Sequence, residues 1–77
     1  MIIRLQLQGP LQKYGNTPGF FEYETAVKEC TLEELLRQLG LPVPSIALIT
    51  VNGLKSDLSR LLEGGDTVVV FPRVAGG

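Results

Sequence analysis

The fold is decided by residues 67–71, TVVVF, an apolar run that has no polar face. A strand that is apolar on both sides is typical of the middle of a sheet, since edge strands usually show polar residues to water. The preceding residues 64–66, GGD, predict a turn into this strand. Pro72 follows it and has no backbone N–H to donate, so we expect strand pairing to end there. The run therefore predicts a central strand near the end of the chain.

Two runs nearer the N-terminus alternate with the period of half-buried strands. Residues 2–8 and residues 20–26 each place apolar side chains on one face and polar side chains on the other. Residues 9–19 contain two prolines and three glycines, which predicts a surface loop and pairs the two runs as a hairpin. The apolar faces are formed by Ile3, Leu5 and Leu7 and by Phe21 and Tyr23.

One helix is predicted after the hairpin. Thr31 and Glu34 have the spacing of a capping box, in which each side chain pairs with a backbone N–H of the other residue. Gly40 and Pro42 predict the end of the helix. The apolar face has helical spacing and consists of Leu32, Leu35, Leu36 and Leu39.

The remaining segments complete a mixed sheet. Residues 46–51 predict a strand, Asn52-Gly53 predicts a tight turn, and residues 57–63 predict a short helical turn or a compact loop. With one helix covering one face and right-handed crossovers, the last strand lies beside the first and parallel to it. We therefore predict an α+β fold, a β-grasp sheet of order 2-1-5-3 with one main helix.

Composition limits the class of protein. The 77 residues are 44% apolar and carry a formal net charge of −1, which indicates one small soluble domain over residues 1–77 and argues against a nucleic-acid binder. The apolar runs are too short to cross a membrane, and residues 1–4 do not begin a secretory signal, so we expect a cytoplasmic protein. One cysteine and no histidine exclude a Cys-His nucleophile pair and a Cys/His zinc site within the chain, and the carboxylates form no recognisable metal-ligand run.

The chemistry is expected at residues 72–77, PRVAGG, which predict a flexible tail. Four extended residues span roughly 13 Å, enough to carry a carboxylate well beyond the domain. Gly76 and Gly77 have no Cβ, so the carbonyl carbon is open to attack and the chain fits a narrow channel. The carboxylate of Gly77 is the candidate reactive group.

Three segments resemble the ubiquitin-like sulfur-carrier family that includes MoaD and ThiS, in the family's order and spacing. They are Val51-Asn52-Gly53, the run from Leu62 to Val68, and the run from Phe71 to Gly77. The resemblance implies that an ATP-dependent, E1-like adenylyltransferase activates Gly77, and that a sulfur donor then displaces AMP to give a thiocarboxylate. It also implies that the chain is a carrier rather than an enzyme, binds no cofactor itself, and delivers sulfur to a MoaE-like large subunit of molybdopterin synthase or to another acceptor.

Partner contacts are predicted on the strand that leads to the tail. Val69 and Phe71 face away from the helix, where no second helix of this chain can cover them, so we expect them to anchor the activating enzyme and the acceptor. Arg73, Val74 and Ala75 would continue that contact. Two positions differ from molybdopterin-type members of the family. The first loop reads Leu11-Gln12-Lys13-Tyr14 where those members have a basic-acidic pair, and Arg73 stands where they have a second proline. These differences leave the acceptor pathway open.

Other readings remain open from the sequence. The chain is interpreted first as a carrier for molybdenum or tungsten cofactor synthesis, with a ThiS-like carrier or a protein modifier joined to lysine through Gly77 as alternatives. A noncovalent binding module is a third class, which would tolerate loss of Gly77. Cys30 is a second candidate for the residue that carries sulfur, because it directly precedes the helix, where a thiol pKa could be lowered. A lone cysteine is more often a small buried apolar residue.

Overall fold

The computed structural model describes residues 1–15 and 19–73. Its strands are β1 (Ile2–Leu7), β2 (Phe21–Glu24), β3 (Cys30–Thr31), β4 (Ile46–Val51), β5 (Leu54–Ser56), β6 (Leu61–Leu62) and β7 (Thr67–Pro72). The α-helix is α1 (Leu32–Leu39), and two 3₁₀ helices span Gly9–Tyr14 and Val43–Ser45.

The main sheet has the order β2-β1-β7-β4-β5, with β7 in the centre. β7 is parallel to β1 and antiparallel to β4, and β1 is antiparallel to β2. This arrangement confirms the α+β class and the central position of the last strand. It also confirms the predicted order 2-1-5-3, because the predicted strands 2, 1, 5 and 3 correspond to β2, β1, β7 and β4. The return from the Asn52-Gly53 turn adds β5 at the edge, and both turn residues have positive φ, at 54° and 84°, as a type I′ hairpin requires.

The core lies between the sheet and α1. It contains the predicted inward residues of β1 and β7, all at 0–1% exposure, together with Leu32, Leu35 and Leu36 of the helix. The Thr31–Glu34 capping box is present in both directions, and Gly40 ends the helix with a left-handed φ of 75°. Leu39 is only partly buried against this core.

Two segments differ from the sequence prediction. Residues 57–63 were predicted as a helical turn or compact loop, but Leu61–Leu62 form β6, which pairs with β3 as a second, two-stranded sheet. The pairing places Leu62 in the core at 0% exposure. In the predicted surface loop, Gly9–Tyr14 form a 3₁₀ helix, and Leu11 of this helix packs in the core.

The register of β4 on β7 shifts between Ile46 and Leu48, so that Ala47 is an extra residue on β4. Such a bulge reverses the alternation of side chains along the strand. Ile46 is consequently buried and Leu48 is exposed, although the two are separated by a single residue.

Among the described residues, no helix is long and apolar enough to cross a membrane.

Candidate functional site

The outward face of β7 carries the two predicted anchor residues. Val68 and Val70 are fully buried on the helix side, and the alternation of the strand places Val69 and Phe71 on the opposite face, half-buried. The predicted orientation of Val69 and Phe71 is therefore confirmed, while their role in partner binding stays a prediction.

One residue of the neighbouring strand β4 extends this apolar surface. Leu48 of β4 lies directly opposite Phe71, and it is 36% exposed. We call Leu48, Val69 and Phe71 the outer patch. Its sides are polar, because Gln6 and Thr50 lie beside Val69 on the two flanking strands.

Leu48 was missed by the sequence reasoning. The run of residues 46–49, IALI, is apolar throughout and contains no alternation from which a face could be assigned. Only the bulge at Ala47 turns Leu48 outward, and a bulge of this kind has no signal in an all-apolar run.

The chain leaves the sheet at a fixed point, which we call the tail base, Pro72 and Arg73. Pro72 is the last residue of β7 and pairs with Ile46. The Arg73 N–H donates to the Ser45 carbonyl at 2.8 Å, and its Nε donates to the Pro44 carbonyl at 3.1 Å. These two residues, predicted as the start of a flexible tail, are thus held against the second 3₁₀ helix.

Gly9 supports the tail base from the other side. Its φ is +54°, and a Cβ at this position would lie 3.2 Å from Cγ of Pro72, closer than ordinary van der Waals contact. The positive φ and the close approach both favour glycine here.

A small pocket of about 170 Å³ opens beside the tail base. Its lining residues come from both 3₁₀ helices and from the end of β7: Pro10, Leu11, Lys13, Tyr14, Pro42, Ser45, Pro72 and Arg73. The Lys13 ammonium lies 5.4 Å from the centre of the Tyr14 ring. The structure therefore places two residues of the first loop in the lining of the same pocket as Arg73.

A larger, mostly apolar cavity of about 440 Å³ lies along β4 and β5. It is lined by Val43, Ile46, Ala47, Leu48, Ile49, Lys55, Ser56, Asp57 and Leu58. Leu48 is shared with the outer patch, whereas the tail base does not contribute to this cavity.

The last four predicted site residues, Val74, Ala75, Gly76 and Gly77, lie outside the described residues.

Cys30 is buried at 3% exposure, and burial, with the Glu34 carboxylate nearby, raises the pKa of its thiol. Within residues 1–15 and 19–73, no group of three Cys, Asp or Glu side chains could hold a metal ion.

The mixed sheet with one main helix is the fold of a ubiquitin-like β-grasp protein. The model of the Mut7-C ubiquitin family matches residues 20–76, and the chain belongs to that family. The predicted relationship to the MoaD/ThiS type of ubiquitin-like fold is confirmed.

Solved structures show the same fold. SAMP1 from Haloferax volcanii is 16% identical with a TM-score of 0.72, and each chain is covered completely. A chain in the complex of subunits 1 and 2 of molybdopterin-converting factor from Helicobacter pylori is 23% identical with a TM-score of 0.64, again over 100% of both chains. The HVO 2177 protein of Haloferax volcanii is 21% identical with a TM-score of 0.71, over 100% of this chain and 87% of the other.

No curated protein shows a significant match to the sequence.

Proposed function

We propose that this chain is a sulfur carrier whose Gly77 carboxylate is adenylated by an ATP-dependent, E1-like enzyme and converted to a thiocarboxylate. The observation that carries the proposal is the held tail base: Arg73 is fixed to the carbonyls of Ser45 and Pro44, directly ahead of the residues VAGG. A fixed starting point four residues before Gly77 limits the positions that its carboxylate can reach.

The chemistry needs two steps. A carboxylate oxygen of Gly77 attacks the α-phosphorus of ATP and pyrophosphate leaves, which gives an acyl adenylate. Hydrosulfide from a sulfur donor then attacks the carbonyl carbon, a C–S bond forms, AMP leaves with the electron pair of the broken C–O bond, and loss of the S–H proton gives the thiocarboxylate. Both steps take place on the tail, and we assign no catalytic side chain to the chain itself, which acts as a carrier and co-substrate.

The acceptor is proposed to be the large subunit of a molybdopterin synthase-like sulfurtransferase. Support comes from the similar fold of a chain in the Helicobacter pylori complex, in which two subunits of molybdopterin-converting factor are paired. The outer patch is the apolar surface that such a subunit, and the activating enzyme before it, would cover, because Leu48 and Phe71 lie side by side on the face opposite α1.

Intact-mass analysis of the purified chain tests this proposal. After incubation with ATP, the cognate E1-like enzyme and a sulfur source, we expect one oxygen to be replaced by sulfur at Gly77. Cys30→Ser serves as the matched control and should be converted at close to the parent rate.

Two outcomes would contradict the proposal. Sulfur found on Cys30 with an unmodified Gly77 would reject the assignment of the reactive group. An amide between Gly77 and a lysine of another protein, with no thiocarboxylate in cells, would identify a protein modifier instead.

A further inference from the structure

Two cations flank the pocket beside the tail base, and the described residues that line it include no carboxylate. Lys13 and Arg73 both line this pocket, and both are exposed. Among the described residues, the ion pair with a nitrogen–oxygen distance within 4.0 Å is that of Arg37 with Glu33, at 3.9 Å. Neither Lys13 nor Arg73 takes part in it.

The distribution of acidic residues along the chain explains this imbalance. All eight aspartates and glutamates lie in residues 22–34 and 57–66. The segments that build the pocket, residues 10–14, 42–45 and 72–73, contain none. The lining of this pocket therefore carries two positive side chains and no acidic one, although the chain has a net charge of −1.

The guanidinium of Arg73 is already oriented. Its Nε donates to the Pro44 carbonyl at 3.1 Å, and its own N–H fixes the backbone to Ser45. A planar guanidinium held through Nε still has the two terminal nitrogens to offer, a geometry that suits a carboxylate.

The pocket is poorly suited to phosphate. Pro10, Pro42 and Pro72 have no N–H, and the N–H groups of Leu11, Ser45 and Arg73 all donate to backbone carbonyls. Phosphate sites typically rely on several free backbone N–H groups that converge on the anion. Here the positive charge comes from two side chains, Lys13 and Arg73, which can each pair with a single carboxylate of a protein partner.

We infer that Lys13 and Arg73 form a docking site for aspartate or glutamate side chains at the entrance of the enzyme channel that receives the tail. The inference rests on the proposed function for the identity of that partner. Paired carboxylates at the channel entrance would orient the carrier before the tail enters. The apolar outer patch would then supply the larger area of contact.

An NMR titration with a hexaglutamate peptide tests this inference. We expect amide shifts concentrated at Lys13, Tyr14 and Arg73, and a loss of these shifts as salt is raised, because exposed charges are screened. Lys13→Gln and Arg73→Gln should each weaken the apparent affinity about threefold to fivefold, as expected for loss of one exposed charge pair. Lys28→Gln, an equal charge change on an exposed residue outside the pocket, should leave the affinity unchanged.

Each other outcome would overturn the inference. Equal shifts at Lys28 or Lys55 would show a nonspecific response to charge, and no shift at the pocket would show that the cations do not act together. Equal shifts with inorganic phosphate at matched ionic strength would show a general anion site. The titration needs neither ATP nor Gly77, so failure of thiocarboxylate formation with intact peptide binding would overturn the proposed function alone.

Discussion

Burial keeps the thiol of Cys30 away from water, although the residue directly precedes the N-cap of α1. A helix N-terminus would lower a thiol pKa, but here burial, followed by repulsion from Glu34, raises it. Desolvation is the larger of the two causes. The neutral form of Cys30 packs as a small apolar residue.

Cys30 should make the protein sensitive to alkali. Because the folded pKa is raised, the contribution of Cys30 to stability is fully present below the ordinary pKa of a thiol and is lost as pH rises through the raised folded pKa. Cys30→Ala should remove this part of the alkaline loss of stability. Urea unfolding of both proteins from pH 7 to 10 measures the difference, and parallel pH profiles would contradict the prediction.

Phe71 is the residue on which we expect partner binding to depend most. Truncation of an aromatic anchor typically costs about 2 kcal/mol or more of binding free energy, so Phe71→Ala should weaken binding to the activating enzyme by that amount. Isothermal titration calorimetry measures the affinity, with a melting curve to verify the fold.

Leu61→Ala is the matched control for Phe71→Ala. Leu61 is 55% exposed but lies on β6, in the small sheet rather than in the outer patch. Its truncation should leave the affinity unchanged. Equal losses for the two variants, or no loss for Phe71→Ala, would show that the outer patch is not the interface.

At the scale of elements, α1 has only eight residues and depends on its first turn. The Thr31 hydroxyl accepts from the Glu34 N–H at 3.2 Å, and the Glu34 carboxylate accepts from the Thr31 N–H at 2.9 Å. The Thr31 N–H and the Thr31 hydroxyl both donate to the Glu34 carboxylate, and these two bonds lower the pKa of Glu34 because they favour the charged form.

The capping box should therefore weaken in acid. Thr31→Ala should destabilise the protein by about 1 kcal/mol near neutral pH, as expected for loss of an N-cap. The contribution of the Glu34 carboxylate is present above its unfolded pKa and is lost as pH falls through the lowered folded value. Guanidinium unfolding at pH 7 and at pH 3 should show a smaller effect of Glu34→Gln in acid, and an equal effect at both pH values would refute this role.

The sequence predicted those elements whose periodicity is unambiguous. Apolar side chains alternate along β1 and recur with helical spacing along α1. The TVVVF run placed β7 in the centre of the sheet because both of its faces are apolar. The pairing of β3 with β6 was not predictable, since two-residue strands have no period. The outward turn of Leu48 depends on the bulge at Ala47, and the attachment of Arg73 depends on carbonyls of a distant 3₁₀ helix.

Over the whole molecule, stability and activation should be separable. The core residues found in the described part lie between Ile3 and Val70, so deletion of Gly77 removes no residue of this core. Shortening the tail by one residue withdraws the carboxylate by roughly 3.3 Å, and a misplacement near 1 Å can cost about a hundredfold in rate. We expect an unchanged melting temperature and a loss of AMP formation.

Gly76→Val tests the width of the tail instead of its length. A branched Cβ restricts the backbone and widens the chain, so activation should again fail while the melting temperature stays the same. If either variant formed AMP and accepted sulfur at the parent rate, residues 76–77 would have no special role and the sulfur-carrier proposal would fail.

The parallel pairing of β1 with β7 has a mechanical consequence. A force that draws the end of β7 away from the start of β1 acts along both strands, and the four registered pairs from Arg4–Thr67 to Leu7–Val70 are loaded together in shear. Strands pulled in this way cannot separate one hydrogen bond at a time, as a peeled hairpin can. A force on the end of β7, with the start of β1 held, is therefore borne by the centre of the sheet.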